Sequence, residues 1–202
     1  MKGGISLDSI EYYNKHAGEY YQNTIDINLR EYWDSFISLL PDGGCILDLG
    51  CGSGRDSAYF ISQGFDVTAM DGSAEMCQLA SVHIGQEVLH LKFSEMDFEE
   101  VFDGVWANAS LLHVPRNDME EILSKVIRSL KKDGLLYMSF HYGDGEAEKD
   151  GRCFTNYRVS TLKELIAKFK ELELIEIRKV HDVLPERDTL WLYALVRKVE
   201  KA

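Results

Sequence analysis

At 202 residues, with 45% hydrophobic and 28% charged residues, the chain has the size and composition of one globular domain with a full core. A net charge of −12 disfavours binding to a phosphate backbone, so nucleic acid is not the expected partner. The first ten residues lack a continuous apolar segment, and no apolar run approaches the roughly 20 residues of a membrane span. We therefore expect a cytoplasmic protein that does not bind membranes.

The cysteine and histidine content argues against a metal centre. The four cysteines form no C-x-x-C pair, and the six histidines are dispersed along the chain. Zinc sites need clustered ligands, so we expect no structural metal. Free thiols suit a reducing compartment.

The N-terminal segment, residues 1–40, is predicted to be helical. Tyr13, Ala17 and Tyr20 recur at helical spacing, and residues 28–40 carry a second apolar helix face. Two interpretations of the tyrosine-rich helix remain open. It is either an amphipathic helix packed on the edge of the domain or a lid that closes over a ligand.

Residues 41–202 are predicted to form a single α/β core that begins with a buried strand over residues 45–49. The strand contains Asp48 near its end, and glycines follow at alternate positions from Gly50. A helix-compatible segment over residues 56–63 comes next. This order predicts a strand, a tight turn and a helix start, with backbone amide groups free to approach a ligand.

Two kinds of nucleotide-binding turn compete for this glycine segment. A dinucleotide site of the form G-x-G-x-x-G would need a third glycine at position 55, which is Arg55. An NAD-dependent oxidoreductase is therefore disfavoured. The sequence reads D-L-G-C-G-S-G, which resembles the first motif of the class I S-adenosylmethionine (SAM)-dependent methyltransferases.

A second strand is predicted over residues 65–70 and ends at Asp71, which lies 21 residues beyond Gly50. An acid at this strand end accepts hydrogen bonds from ribose hydroxyls in Rossmann-type sites. Gly72 begins the following turn, and Met76 lies one helical turn further on. Met76 is expected either near an adenine ring or in the core.

The third strand is predicted over residues 88–91, followed by the pair Asp97 and Phe98. The resemblance favours contact of Asp97 with the adenine amino group and packing of Phe98 on the ring. The alternative is that both residues belong to an acidic surface segment.

The fourth strand is predicted over residues 102–109, and the fifth follows a strongly periodic helix. Methyltransferases that act on nitrogen atoms of nucleic-acid bases or glutamine often carry N-P-P-Y or D-P-P-Y at the end of the fourth strand. This chain has Asn108, Ala109 and Ser110 there, which counts against those classes.

The segment 141–157 is predicted to be a polar, glycine-rich loop at the carboxyl end of the fifth strand, facing the substrate. Arg152 is a candidate for binding a carboxylate or phosphate of the acceptor, and Tyr157 belongs to the same loop. His113 and His141 are candidate bases at strand ends. The alternative is a mobile, solvated loop.

The motifs together resemble class I methyltransferases over nearly the whole chain. The segment 141–157 is similar to a small bacterial, tellurite-resistance-like group when it is taken with the later residues Asp182, Val183, Pro185, Arg187 and Trp191. The resemblance implies a Rossmann-like sheet of seven strands, mostly parallel with an antiparallel last strand, and helices on both faces. It implies SAM as cofactor, S-adenosylhomocysteine (SAH) as product and a small-molecule acceptor. An RNA (tRNA) methyltransferase, a non-catalytic SAM-binding module, and the choice between monomer and homodimer remain open. The implied cofactor-binding residues are Tyr20, Asp48, Gly50, Cys51, Gly52, Arg55, Asp71, Gly72, Met76, Asp97, Phe98, Asn108 and Ala109.

Overall fold

The structure is a computed structural model that describes residues 7–200. The predicted N-terminal unit therefore includes residues 1–6, which lie outside the described residues. The helices are α1 (Leu7–Thr24), α2 (Arg30–Ile37), α3 (Arg55–Ser62), α4 (Ala74–Ile84), α5 (Met119–Ser129) and α6 (Val159–Ile166). The strands are β1 (Cys45–Leu49), β2 (Asp66–Asp71), β3 (Leu89–His90), β4 (Phe102–Ala107), β5 (Leu130–His141), β6 (Glu146–Lys149), β7 (Arg152–Thr155), β8 (Leu172–His181) and β9 (Leu190–Lys198).

The main sheet within residues 7–200 has seven strands in the order β3-β2-β1-β4-β5-β9-β8. The strands from β3 to β5 run parallel, and β9 pairs antiparallel with both β5 and β8. The order reverses between β1 and β4, and ligands bind at such a switch point in open α/β sheets. The predicted seven-stranded, mostly parallel fold is confirmed.

The core lies on both faces of the sheet because successive side chains of a strand point to opposite sides. Leu136, Met138 and Phe140 of β5 belong to a buried cluster that includes side chains of α5 and α6. Leu135 and Tyr137 belong to a second cluster that includes side chains of α2 and α3. Burial on both faces leaves the ends of the strands as the place for a site.

The segment 141–157 is a strand pair rather than the predicted loop. Strands β6 and β7 form an antiparallel hairpin in which Lys149 pairs with Arg152. Its turn residues, Asp150 and Gly151, have φ of 55° and 73°. A two-residue turn with positive φ at both positions matches the twist of a hairpin, and Asp-Gly is a preferred sequence for it.

The hairpin is held against α1. The backbone N–H of Cys153 donates to the Ser9 hydroxyl over 3.1 Å.

Within residues 7–200, no helix is both long and apolar enough to cross a membrane.

Candidate active site

The glycine turn after β1 brings the backbone close to its neighbours. Gly50, Gly52 and Gly54 have φ of 76°, 53° and 78°. A Cβ added to Gly50 would lie 2.6 Å from the Cβ of Ser110, so no side chain fits there. A Cβ on Gly52 would meet the ring of Tyr20 at 3.3 Å. The turn therefore presents bare backbone towards α1 and the end of β4.

Asp48 lies beneath the turn rather than at its surface. Its side chain is buried, and its Oδ2 accepts a hydrogen bond from the Ser57 hydroxyl over 2.6 Å. Burial, and then the nearby Asp56 carboxylate, raise the pKa of Asp48 far above its ordinary value of 3.8. Asp48 thus joins β1 to α3 and supports the turn from below.

We expect the contribution of Asp48 to the stability of the protein to fall as pH rises from about 5 to 8. The folded protein keeps a proton on Asp48 at pH values where the unfolded chain has lost it. Its contribution is therefore complete below the unfolded pKa of 3.8 and is lost as pH rises towards the raised folded pKa. The loss is at most about 1.4 kcal/mol per pH unit for one group.

Urea unfolding of the wild type and of Asp48→Asn at several pH values measures this contribution. The free energy of unfolding of Asp48→Asn relative to the wild type should rise with pH over this range, whereas Asp42→Asn, which removes an exposed carboxylate, should keep the wild-type slope. Equal slopes for the wild type and Asp48→Asn would contradict the assignment.

Asp71 organises the end of β2. Its Oδ2 accepts from the N–H of Gly52 over 3.0 Å, and its Oδ1 accepts from the N–H of Ser73 over 2.8 Å. Helix α1 lies over this strand end. Asn14 Oδ1 accepts from the Ser73 hydroxyl, and Ile10 packs on Gly72. Asp71 therefore links the glycine turn to the start of α4.

Asp71→Ala is expected to weaken SAM binding at least tenfold, or about 1.4 kcal/mol. The reason is that the carboxylate both orients the Gly52 amide and is the candidate ribose acceptor. Calorimetric titration with SAM measures the change. Asp66→Ala, at the opposite end of the same strand, is the control and should bind SAM normally. Unchanged affinity in Asp71→Ala would remove Asp71 from the site.

A cavity of about 810 Å³ extends from the glycine turn to the hairpin and the end of β9. It brings together ten of the residues predicted from the sequence, drawn from six separate segments of the chain. They are Tyr20, Gly50, Cys51, Gly52, Arg55, Asn108, Ala109, His113, His141 and Arg152.

The structure does not bring Asp97 and Phe98 to this cavity, in contrast to the predicted adenine contact. Asp97 is on the surface and forms an ion pair with Arg128. Phe98 packs edge-on against Phe102, with 5.1 Å between ring centroids. The ion pair with Arg128 of α5 holds the Asp97 carboxylate at the surface. The apolar ring of Phe98 packs on the core instead.

Five further predicted residues do not line the cavity. Two of them are Asp48 and Asp71, whose contacts are described above. Gly72 and Met76 lie at the start of α4, where Ser73 caps the helix through the N–H of Met76. Met76 is buried in the core. Tyr157 is also buried, because its ring packs against Phe140.

The two candidate histidines differ in their hydrogen bonding. His113 Nδ1 lies 2.7 Å from the carbonyl oxygen of Cys153, which can only accept, so Nδ1 carries the proton. His113 Nε2 then accepts from the Tyr13 hydroxyl over 2.8 Å. Burial lowers the pKa of His113 to about 4. His113 is therefore neutral, with both ring nitrogens occupied.

His141 has free ring nitrogens, since neither forms a hydrogen bond within residues 7–200. Its ring stacks on Phe154 with 5.2 Å between centroids and 15° between planes, and Trp191 lies edge-on at 4.6 Å. Burial and the nearby Arg152 charge lower the pKa of His141. A neutral imidazole with free nitrogens can accept a proton at pH 7.

Arg152 is a largely buried cation whose positive charge is only weakly balanced by nearby carboxylates. Its guanidinium lies 4.0 Å from the ring centroid of Tyr12 and 5.2 Å from that of Phe154. The carboxylate of Asp150 is 3.5 Å away and exposed. Among the described residues, Arg152 Nε has no hydrogen-bond partner. The arrangement favours an anionic group near Arg152.

Sequence reasoning missed several residues that shape this cavity. Tyr13, Phe154 and Trp191 line it, and Asp56 and Ser139 form its polar wall. Tyr13 lies on the predicted tyrosine helix, but its spacing does not reveal a contact with His113, 100 positions away.

Within residues 7–200, no group of three or more His, Cys, Asp or Glu side chains could hold a metal ion.

Residues 46–134 match a family of methyltransferase domains. The chain is 34% identical over 119 residues to YqeM of Bacillus subtilis, provisionally named a methyltransferase, covering 55% of this chain and 48% of that protein. It is also 34% identical over 123 residues to a ubiquinone biosynthesis O-methyltransferase of Dechloromonas aromatica, covering 56% of this chain and 51% of the relative. The chain thus spans about half the length of these relatives.

The structure is similar to that of the 1,6-didemethyltoxoflavin N1-methyltransferase of Burkholderia thailandensis, solved with 1,6-didemethyltoxoflavin and SAH bound. The TM-score is 0.79 with 26% sequence identity, over 96% of this chain and 88% of that chain. The narrower tellurite-resistance-like resemblance stays a prediction.

Proposed function

We propose that the protein is a class I SAM-dependent methyltransferase that methylates a small, planar heteroaromatic acceptor, which the match of residues 46–134 to methyltransferase domains supports. The observation that carries the proposal is one continuous cavity. Its cofactor half is formed by Tyr20, Gly50–Gly52 and Arg55. Its acceptor half is formed by His113, His141, Arg152, Phe154 and Trp191.

The cofactor half has the properties that SAM requires. The glycine turn leaves no room for a side chain at Gly50, so a ligand meets backbone there. Ser110 Oγ, directly behind Gly50, is buried and lacks a hydrogen-bond partner among the described residues. Asp71 is the candidate for the ribose hydroxyls, and Tyr20 and Arg55 for the methionine end. When bound, SAM supplies an activated sulfonium methyl group.

The acceptor half is suited to a flat ring. The parallel His141 and Phe154 rings, with Trp191 edge-on, form aromatic walls that favour stacking. The structure of the similar Burkholderia enzyme contains 1,6-didemethyltoxoflavin beside SAH, which supports a small-molecule acceptor here. Arg152 adds a positive charge beside these walls and stabilises a ring that carries negative charge.

Within this proposal the two histidines have different roles. His141 accepts the proton of an acidic ring N–H before the methyl group is received, because its ring is neutral and its nitrogens are free. Arg152 stabilises the anionic ring that remains, and this ring becomes neutral when its nitrogen takes the methyl group. His113 holds the Tyr13 hydroxyl and so positions α1 over the cavity. The remaining catalysis comes from alignment of donor and acceptor and exclusion of water.

The test begins with calorimetric titration of the protein with SAM, SAH and NAD. SAM and SAH are expected to bind and NAD is not. An acceptor screen that detects SAH release follows. It uses planar heteroaromatic N–H compounds, including 1,6-didemethyltoxoflavin, and total tRNA as a separate arm.

SAH release with a heteroaromatic compound supports the proposal. Release with tRNA alone would replace the small acceptor by RNA. SAM binding without turnover of any acceptor would favour a non-catalytic SAM-binding module, and NAD binding would overturn the assignment of the glycine turn.

A further inference from the structure

Asp56, in the first turn of α3, is a buried carboxylate at which several elements meet. Among the described residues, four donors reach it. Oδ1 accepts from Trp33 Nε1 over 3.1 Å and from Arg55 Nε over 2.6 Å. Oδ2 accepts from Trp106 Nε1 over 2.7 Å and from Asn108 Nδ2 over 3.2 Å. Both oxygens are thus used, by groups from α2, α3 and β4.

A chain of hydrogen bonds continues from Asp56 to the end of β4. The Ser139 hydroxyl donates to Asn108 Oδ1 over 2.9 Å. The N–H of Ala109 donates to the Ser139 oxygen over 2.7 Å. Ala109 has φ of 51°, a left-handed conformation that residues with a side chain rarely adopt. The chain therefore ends on a strained residue that lines the cavity.

The charge of Asp56 determines the direction of each bond. A carboxylate can only accept, so the nitrogen of the Asn108 amide must face Asp56 and its oxygen must face Ser139. The Ser139 hydroxyl gives its single proton to that oxygen, which leaves its lone pairs for the N–H of Ala109. Burial disfavours ionisation of Asp56, but the Arg55 charge and the N–H donors outweigh burial and lower its pKa.

Resting on the function proposed above, we infer that Asp56 is a positioning residue for methyl transfer. Through Asn108 and Ser139 its carboxylate holds the Ala109 turn in its strained conformation. Because Asn108 and Ala109 line the cavity that also contains the residues of the cofactor and acceptor halves, the position of this turn sets how the acceptor meets the methyl donor. Asp56 itself does not need to touch either molecule.

The test compares Asp56→Asn and Ser139→Ala with the control Trp33→Phe. The control removes one donor from Oδ1 and leaves the link from Oδ2 to Asn108 intact. Amide hydrogen exchange at Ala109, followed by NMR, is expected to accelerate about tenfold in Asp56→Asn and to stay unchanged in Trp33→Phe. If Asp56→Asn does not fold, Asn108→Leu breaks the same link and takes its place.

Turnover of the acceptor gives the second readout. Asp56→Asn and Ser139→Ala should each lower kcat about tenfold with little change in acceptor KM, and the double variant should be no worse than either. Unchanged exchange at Ala109 in Asp56→Asn, additive losses, or an equal loss in Trp33→Phe would overturn the inference. If the wild type turns over no acceptor, the proposed function fails, while the exchange result still decides whether Asp56 holds the turn.

Discussion

Gly50→Ala is expected to weaken SAH binding about 100-fold or more, equivalent to about 2.7 kcal/mol. Gly50 has φ of 76°, and a Cβ there would lie 2.6 Å from the Cβ of Ser110 and 3.2 Å from the ring of Phe93. The new methyl group must push the turn away from β4, towards the space that the cofactor needs. Calorimetric titration with SAH and urea unfolding measure the two consequences.

Gly85→Ala is a matched control for Gly50→Ala. Gly85 also has positive φ, 71°, but a Cβ there meets nothing within 4 Å. This control carries only the cost of the left-handed conformation, about 1–2 kcal/mol of stability, and should bind SAH normally. If Gly50→Ala bound SAH as Gly85→Ala does, close approach at Gly50 would have no part in binding.

Arg152→Ala is expected to raise the acceptor KM about 30-fold, equivalent to about 2 kcal/mol. The variant removes the largely buried guanidinium beside Phe154 and should leave SAM affinity within about twofold of the wild type, since Arg152 lies in the acceptor half. It should also shift the pH profile of kcat. The Arg152 charge is one cause of the lowered pKa of His141, so its removal moves that pKa up towards 6.5.

Two substitutions sharpen this test. Arg152→Lys keeps the charge but loses the planar group that stacks on the rings, so it should recover the pH profile and only part of the KM. Arg158→Ala removes an exposed arginine that pairs with Asp144 and should behave as the wild type. A collapse of SAM affinity in Arg152→Ala would instead place Arg152 in the cofactor half or in folding.

The sequence predicted the fold well because its signals are local. Alternating glycines after an apolar run demand a tight turn, and helical periodicity marks α5. The hairpin β6–β7 was missed although Asp150 and Gly151 carry its turn signal. The strands that flank this turn lack alternating apolar residues, and exposure of β6 explains why.

The predicted site residues meet at the cavity only in part, and those that lie away from it have one feature in common. Asp97 and Phe98 follow a strand as the resemblance requires, but Arg128 and Phe102 are their partners. Tyr157 faces Phe140 in the core. In each case the packing or ion-pair partner decided where the side chain points, and the spacing of residues in the sequence does not show such contacts.

By itself, the sequence determined the strand-turn-helix unit at Gly50, the acid at the end of β2, and the class of domain. These depend on backbone conformations that particular residues require. Only the tertiary structure decided the hydrogen bonds of the buried polar groups. The Tyr13 hydroxyl bonds to His113 Nε2, the ring nitrogens of His141 have no partner among the described residues, and Asp56 accepts from Asn108 at the end of β4. Hydrogen-bond partners of buried polar groups are chosen when separate segments pack, because a buried polar group must find a partner among whatever that packing brings near.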